Sequence, residues 1–179
     1  MSFHLDGSFA TEETMHTLAA EISSSTGGDP VYNVPVSVAG DVTVAADIDS
    51  TSEELAIGGN VSAQSLVVYD SVIEVGGKID VEIIAIDGDS GGKVTVGAPS
   101  NVPLVFQFWG GELEGPLTAT VFAWDDNDNS EDDYERLAGG FEAVGLELSD
   151  EVSLDDVITL VEEAKVQDLV AYFQNEQEG

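Results

Sequence analysis

The segment of this chain richest in potential metal ligands is an acidic run at residues 125–133. A calcium-binding loop begins with oxygen ligands at alternating positions. This run matches those positions with Asp125, Asn127 and Asn129. The sixth position of that loop, however, is Ser130 instead of glycine, and the twelfth is Arg136 instead of glutamate. The run is therefore not an EF-hand. A solvated loop is favoured over a loose calcium site, and we expect no other cofactor.

The acidic run lies in the most highly charged part of the chain. Residues 125–179 carry 18 acidic and two basic residues, about half of the net charge of −32. Such a charge repels nucleic acids and anionic membranes and attracts basic proteins. Neighbouring tryptophans add large apolar surfaces of the kind found in protein interfaces. The candidate partner-binding residues are therefore Asp125, Asp126, Asp128, Glu131, Asp132, Asp133, Trp109 and Trp124.

Catalytic chemistry has few residues to draw on. The two histidines, His4 and His16, both lie in the first 16 residues, away from the centre of the chain, and there is no cysteine. A histidine general base, a serine triad or an imidazole metal site therefore has no candidate in the centre. With 36 acidic residues, the spacing of any two carboxylates carries no information. We predict a protein that is not an enzyme.

The centre of the chain repeats itself, and this repeat predicts the fold. The segments that start at Val36, Leu55 and Ile73 share one pattern, in which apolar residues alternate with others around a glycine. Alternation predicts short strands, and the glycine marks a bend between them. The equivalent positions Val38, Ile57, Val75, Val96 and Leu113 are 19, 18, 21 and 17 residues apart. A period of about 18 residues favours a parallel β-helix over an antiparallel sandwich.

The glycine-containing coils resemble those of the bactofilin-like, polymer-forming β-helix proteins. The similarity covers residues 36–124 and is carried best by the segments Ile57–Ala63 and Val75–Val81; the stretch Leu117–Asp126 resembles the acidic turn that ends the last coil in some bacterial relatives. The resemblance implies a right-handed β-helix without catalytic residues. It also raises self-assembly as an alternative function, with a homo-oligomer as the product.

The flanks of the repeat change to a helical period. Thr11 is a plausible cap for a helix over residues 12–22, and Ser153 with Asp156 resembles a capping box at the start of a helical region over residues 152–173. The apolar phase shifts near Lys165, which predicts a break there. If both flanks cap the ends of the β-helix, its coils cannot stack between molecules, so the sequence leaves polymerisation in doubt.

The sequence thus predicts a mainly β protein, a right-handed parallel β-helix of about five coils with short capping helices. Its parts are a helix and linker at residues 1–30, the repeat at 31–124, and an acidic loop with a helical segment at 125–179. No segment has the length of apolar residues that a membrane span needs, and we expect a cytoplasmic protein. The favoured function is that of an acidic inhibitor or immunity protein, a DNA mimic that blocks a basic nucleic-acid-binding protein. The alternatives are a bactofilin-like scaffold and a salt-adapted protein whose charge has no specific partner.

Overall fold

The computed structural model describes residues 2–14, 18–25, 27–30, 34–50, 54–89, 91–124, 131–149 and 152–177. All fifteen described strands belong to three parallel sheets, which wind into a solenoid of about four turns instead of the five predicted. Sheet 1 contains β1 (Phe3–Leu5), β3 (Val36–Val38), β6 (Glu54–Ile57), β9 (Val72–Val75), β12 (Lys93–Val96) and β14 (Glu112–Glu114). Sheet 2 contains β2 (Phe9–Thr11), β4 (Val42–Val44), β7 (Val61–Ser62) and β10 (Ile79–Asp80). Sheet 3 contains β5 (Ile48–Ser50), β8 (Ser65–Val68), β11 (Ile83–Asp87), β13 (Ser100–Phe108) and β15 (Leu117–Trp124).

The register between coils confirms most of the repeat. Val38 pairs with Ile57, Ile57 with Val75, and Val75 with Val96, as the sequence predicted. The sequence placed Leu113 opposite Val96, but Leu113 pairs with Val94, two residues earlier in the same strand. Residues two apart in a strand point to the same face, so alternation alone could not distinguish these two registers.

The recurring glycines allow the bends of successive coils to stack on one another. A Cβ atom on Gly76 would lie 2.8 Å from the carbonyl oxygen of Gly58 in the preceding coil, and one on Gly77 would lie 2.6 Å from that of Gly59. Both distances are too short for a carbon against backbone. The glycine motif therefore follows from the close approach of one coil to the next.

The interior of the solenoid is one continuous column of aliphatic side chains, to which every coil contributes. At its N-terminal end, helix α1 (Leu18–Ser25) lies between β2 and β3, and its Ile22 is fully buried in this column. The helix predicted from residue 12 therefore begins later within the described residues. Phe9 is drawn into the column and places Phe9–Thr11 in a strand of the first coil.

Three more helices pack side by side on the outer face of sheet 3: α2 (Glu131–Ala143), α3 (Leu154–Glu162) and α4 (Val166–Gln177). They cover the side of the solenoid rather than its end. The cause is visible in sheet 3, where both faces are apolar: in β11, Ile84 and Ile86 face the column while Ile83 and Ala85 face the helices. Parallel strands buried on both faces read as continuous apolar runs.

The C-terminal helices agree with the sequence in two respects and differ in one. The carboxylate of Asp156 accepts a hydrogen bond from the Ser153 backbone N–H at 2.8 Å, as expected for the start of α3. The break near Lys165 separates α3 from α4. Helix α2 was not predicted, because Gly139 and Gly140 disfavour a helix. Its buried Leu137 and Phe141 stabilise it through packing on the same apolar cluster.

Candidate interaction surfaces

One end of the aliphatic column is left open by the last coil. Val121 in β15 pairs with Val105 in β13 and continues its position in the column. Val105 is completely buried, whereas Val121 is 49% exposed. Leu113, Leu117 and Ala119 of the same coil are only partly buried against the column. We call these four residues the open end of the solenoid.

Strand β15, which borders the open end, differs from the other strands at sheet edges. It pairs with β13 on one side, and no described strand pairs with its other side. It is eight residues long, whereas the other edge strands (β1, β2, β5, β10 and β14) have three residues or fewer. None of its residues is charged, although the chain carries −32. Long, uncharged edges are the ones on which other strands pair, since native proteins usually protect edges with charges or shorten them.

The neighbouring edge strand, β14, is acidic, and a single lysine offsets one of its two negative charges. The Nζ atom of Lys93 lies 2.9 Å from a carboxylate oxygen of Glu112 and 2.9 Å from one of Glu114. Hydrogen bonds to Glu114 and Glu112 raise the pKa of Lys93 above its ordinary value of 10.5. The ion pairs therefore reduce the negative charge on the sheet 1 side of the open end without cancelling it.

A second surface is formed by the outward side of the three C-terminal helices and their connections. Apart from Asp156, every acidic side chain described in this layer is exposed; they are Asp132, Asp133, Glu135, Glu142, Glu147, Asp155, Glu162, Glu163 and Asp168. The cation Arg136 is half-buried, with its guanidinium 5.4 Å from the ring centre of Phe122 and 5.1 Å from that of Phe173. We call this surface the acidic helical layer.

The structure describes only part of the predicted partner-binding and calcium sites. Asp125, Asp126, Asp128, Asn127 and Asn129 lie outside the described residues. Glu131 is the first residue of α2 and Trp124 the last of β15, but their side chains are not described. Asp132 and Asp133 are exposed on α2. Trp109 follows β13 with a left-handed φ of 52° and is 48% exposed.

Of the two histidines, the structure describes His4. His4 is exposed, with Nδ1 2.7 Å from Ser37 Oγ and Nε2 2.9 Å from Asp6 Oδ1, and His16 lies outside the described residues. Within the described ranges, His, Cys, Asp and Glu form no group of three or more that could hold a metal ion. No helix in that part of the chain is long and apolar enough to cross a membrane.

The open end was missed by sequence reasoning. Residues 116–124 carry no charge, and their strand character is clear from Thr118, Thr120 and Val121, but the longer stretches 55–69 and 94–111 inside the solenoid are uncharged as well. The sequence did not reveal that no further coil among the described residues covers this last strand.

The fold and surfaces define a class of protein: a parallel β-solenoid with a helical layer on one side and an open apolar end. Comparison of the chain with protein families, with curated proteins and with solved structures gave no match. The functional argument therefore rests on the two surfaces themselves.

Proposed function

We propose that this protein is a non-catalytic structural module that assembles through the open end of its solenoid. The observation that carries the proposal is the 49% exposure of Val121 at the end of a column whose other valines are buried. Beside it runs the uncharged edge of β15. Exposed apolar surface next to a strand edge is stabilised when another molecule covers it, by burial of apolar area and by added strand pairing.

The resemblance of the glycine-containing coils to bactofilin-like proteins supports the same proposal. In that reading the chain is a scaffold whose coils stack between molecules, and catalysis has no part in its function. One feature separates it from a simple filament former: α1 lies over the first coil, so the two ends of the column are not equivalent.

Sedimentation velocity tests the proposal. The purified chain is measured over a wide range of concentration, at low and at molar potassium chloride, because salt screens the repulsion between acidic copies. We expect association that strengthens with concentration and with salt. A chain that remains monomeric in every condition, including added divalent cations, would overturn the proposal.

The acidic helical layer favours a second candidate function, binding to a basic nucleic-acid-binding protein as an inhibitor of the DNA-mimic type. Its support is the nine exposed carboxylates of this layer, in which the cation Arg136 is half-buried over two rings. Electrostatic association of this kind is fast and weakens steeply with salt.

The second candidate is tested by neutralising charges on one surface at a time. A basic protein captured at low salt and then identified should lose affinity for the triple variant Asp132→Asn, Asp133→Asn and Glu135→Gln. A control with the same change in net charge is Glu54→Gln, Glu74→Gln and Asp80→Asn, all exposed on the solenoid. Equal affinity of the two variants, or binding that ignores salt, would contradict this function.

A further inference from the structure

We infer that the molecule covering the open end is a second copy of this chain, joined by antiparallel pairing of β15 with its own counterpart across a two-fold axis. The product is a closed dimer instead of a filament. This inference rests on the proposed assembly function and specifies its partner and geometry.

The two ends of the aliphatic column differ in how far they are covered. Helix α1 takes the place of a sheet 3 strand in the first coil, and Ile22 is fully buried in the column while Ala20 is 7% exposed. The two ends of the column therefore differ: α1 covers the sheet 3 side of the N-terminal end, where Phe3 and Leu5 of β1 are partly buried, whereas Val121 is 49% exposed at the other end. Head-to-tail stacking needs two different, complementary ends, whereas a two-fold contact needs only one self-complementary surface.

The unpaired edge of β15 is chemically suited to pairing with itself. When a strand pairs with itself in antiparallel fashion, each residue meets a residue of the same short segment. In β15 every such meeting is between uncharged side chains, so no carboxylates are brought together. On β14, Lys93 offsets one of the two negative charges of Glu112 and Glu114 within each copy. Two copies of charge −32 therefore repel each other less at the open end than they would at the acidic helical layer.

A basic protein is not the preferred occupant of the open end. Such a partner gains affinity from carboxylates, and β15 carries none, whereas nine exposed ones lie on the acidic helical layer. The open end offers Leu117, Ala119 and Val121, which match an equally apolar surface. The open end of another copy has the same size and the same apolar residues, so it matches this surface.

The first experiment places a charge on the edge. Val121→Glu puts two carboxylates into the dimer interface, where no described cation faces them. We expect the dissociation constant to rise at least about tenfold, because the charges must be desolvated. Thr43→Glu is the control: it adds the same charge to an exposed position of β4, a strand paired on both sides by β2 and β7. Both variants are measured by sedimentation equilibrium in molar potassium chloride, with circular dichroism to confirm the fold.

The second experiment reports geometry and uses the absence of native cysteine. The single-cysteine variants Ala119→Cys, Val121→Cys and Ala123→Cys are oxidised under mild conditions. A two-fold antiparallel contact whose axis passes at one of these positions brings that position close to its own counterpart, within the distance of about 4.4–6.8 Å between Cα atoms that a disulfide requires. We expect a covalent dimer from one of the three and none from the control Thr43→Cys.

The outcomes separate this inference from the proposed function. A dimer that Val121→Glu weakens, that Thr43→Glu leaves intact and that one edge cysteine crosslinks supports both. Oligomers that keep growing with concentration, or a dimer insensitive to Val121→Glu and without an edge crosslink, overturn the two-fold contact while assembly stands. A monomer in all conditions overturns both.

Discussion

Replacement of Gly76 by alanine perturbs the stacking of coils at a single atom. Gly76 lies at the bend after β9, directly over Gly58 of the preceding coil. An added Cβ would lie 2.8 Å from the carbonyl oxygen of Gly58, 3.3 Å from its carbonyl carbon and 3.4 Å from the oxygen of Ile57. All three atoms belong to backbone, which cannot rotate away as a side chain can.

The cost follows from how far the coils must separate. Relief of the closest contact requires a shift of several tenths of an ångström in backbone that is hydrogen-bonded to the preceding coil: Gly76 N–H donates to the Ile57 oxygen at 2.7 Å. Overpacking of this kind costs about 1–3 kcal/mol of unfolding free energy. The backbone at Gly76 does not have a positive φ, so the loss is steric and not conformational.

Urea unfolding followed by circular dichroism, in molar potassium chloride, measures this loss. Gly139→Ala is the control, because the atom nearest to its added Cβ is the Tyr172 hydroxyl, at 3.2 Å and at the end of a side chain that can move. Gly139 lies within α2, where alanine gains about 0.5–1 kcal/mol of helix stability. If Gly76→Ala unfolds at the same urea concentration as the wild type, the stacked-glycine explanation of the repeat is refuted.

Three further outcomes are expected. Gly140→Ala should destabilise the chain by about 1–3 kcal/mol in the same urea assay, in contrast to Gly139→Ala, because its Cβ would lie 2.9 Å from both Leu169 and Phe173; equal effects at the two glycines would contradict the packing of α2 on α4. Phe173→Ala should cost about 3–5 kcal/mol, since a fully buried ring of the helical layer is lost and Arg136 loses one of its two aromatic contacts; a loss below about 1 kcal/mol would argue against that core. Lys93→Met should lower stability at neutral pH and low salt. Since the pKa of Lys93 is raised in the folded state, its contribution is present below 10.5 and disappears as the pH rises through the folded value; a gap between Lys93→Met and wild type that stays constant across that range would contradict the ion pairs.

The acidic surface also bears on the salt-adapted alternative. A charge of −32 on one domain-sized chain repels itself in dilute buffer, and salt relieves this repulsion. Thermal unfolding that shifts upward in molar potassium chloride is expected under any of the three functions. Only a chain that neither assembles in that salt nor binds a basic protein at low salt leaves adaptation as the sole explanation of the charge.

Local patterns determined much of this protein. The alternation around each glycine predicted strands, and the period of about 18 residues predicted parallel pairing of Val38, Ile57, Val75 and Val96. These predictions succeeded because strand alternation and the absence of a Cβ at the bends are properties of single residues. The start of α3 at Ser153 was readable for the same reason, since a cap is a contact between close neighbours in sequence.

Long-range packing decided the rest. The sequence contains apolar residues that could cover either an end or a side of the solenoid, and the tertiary structure places α2, α3 and α4 on sheet 3 because Ile83, Ala85 and Phe106 form an outer apolar face there. Burial of Phe9 places Phe9–Thr11 in a strand, although the sequence predicted Thr11 as the cap of a helix. Exposure of Val121 depends on whether another coil follows, and no local pattern records that. The sequence by itself determined the coil, whereas only the tertiary structure decided which of its surfaces are covered, because coverage is a property of distant segments meeting.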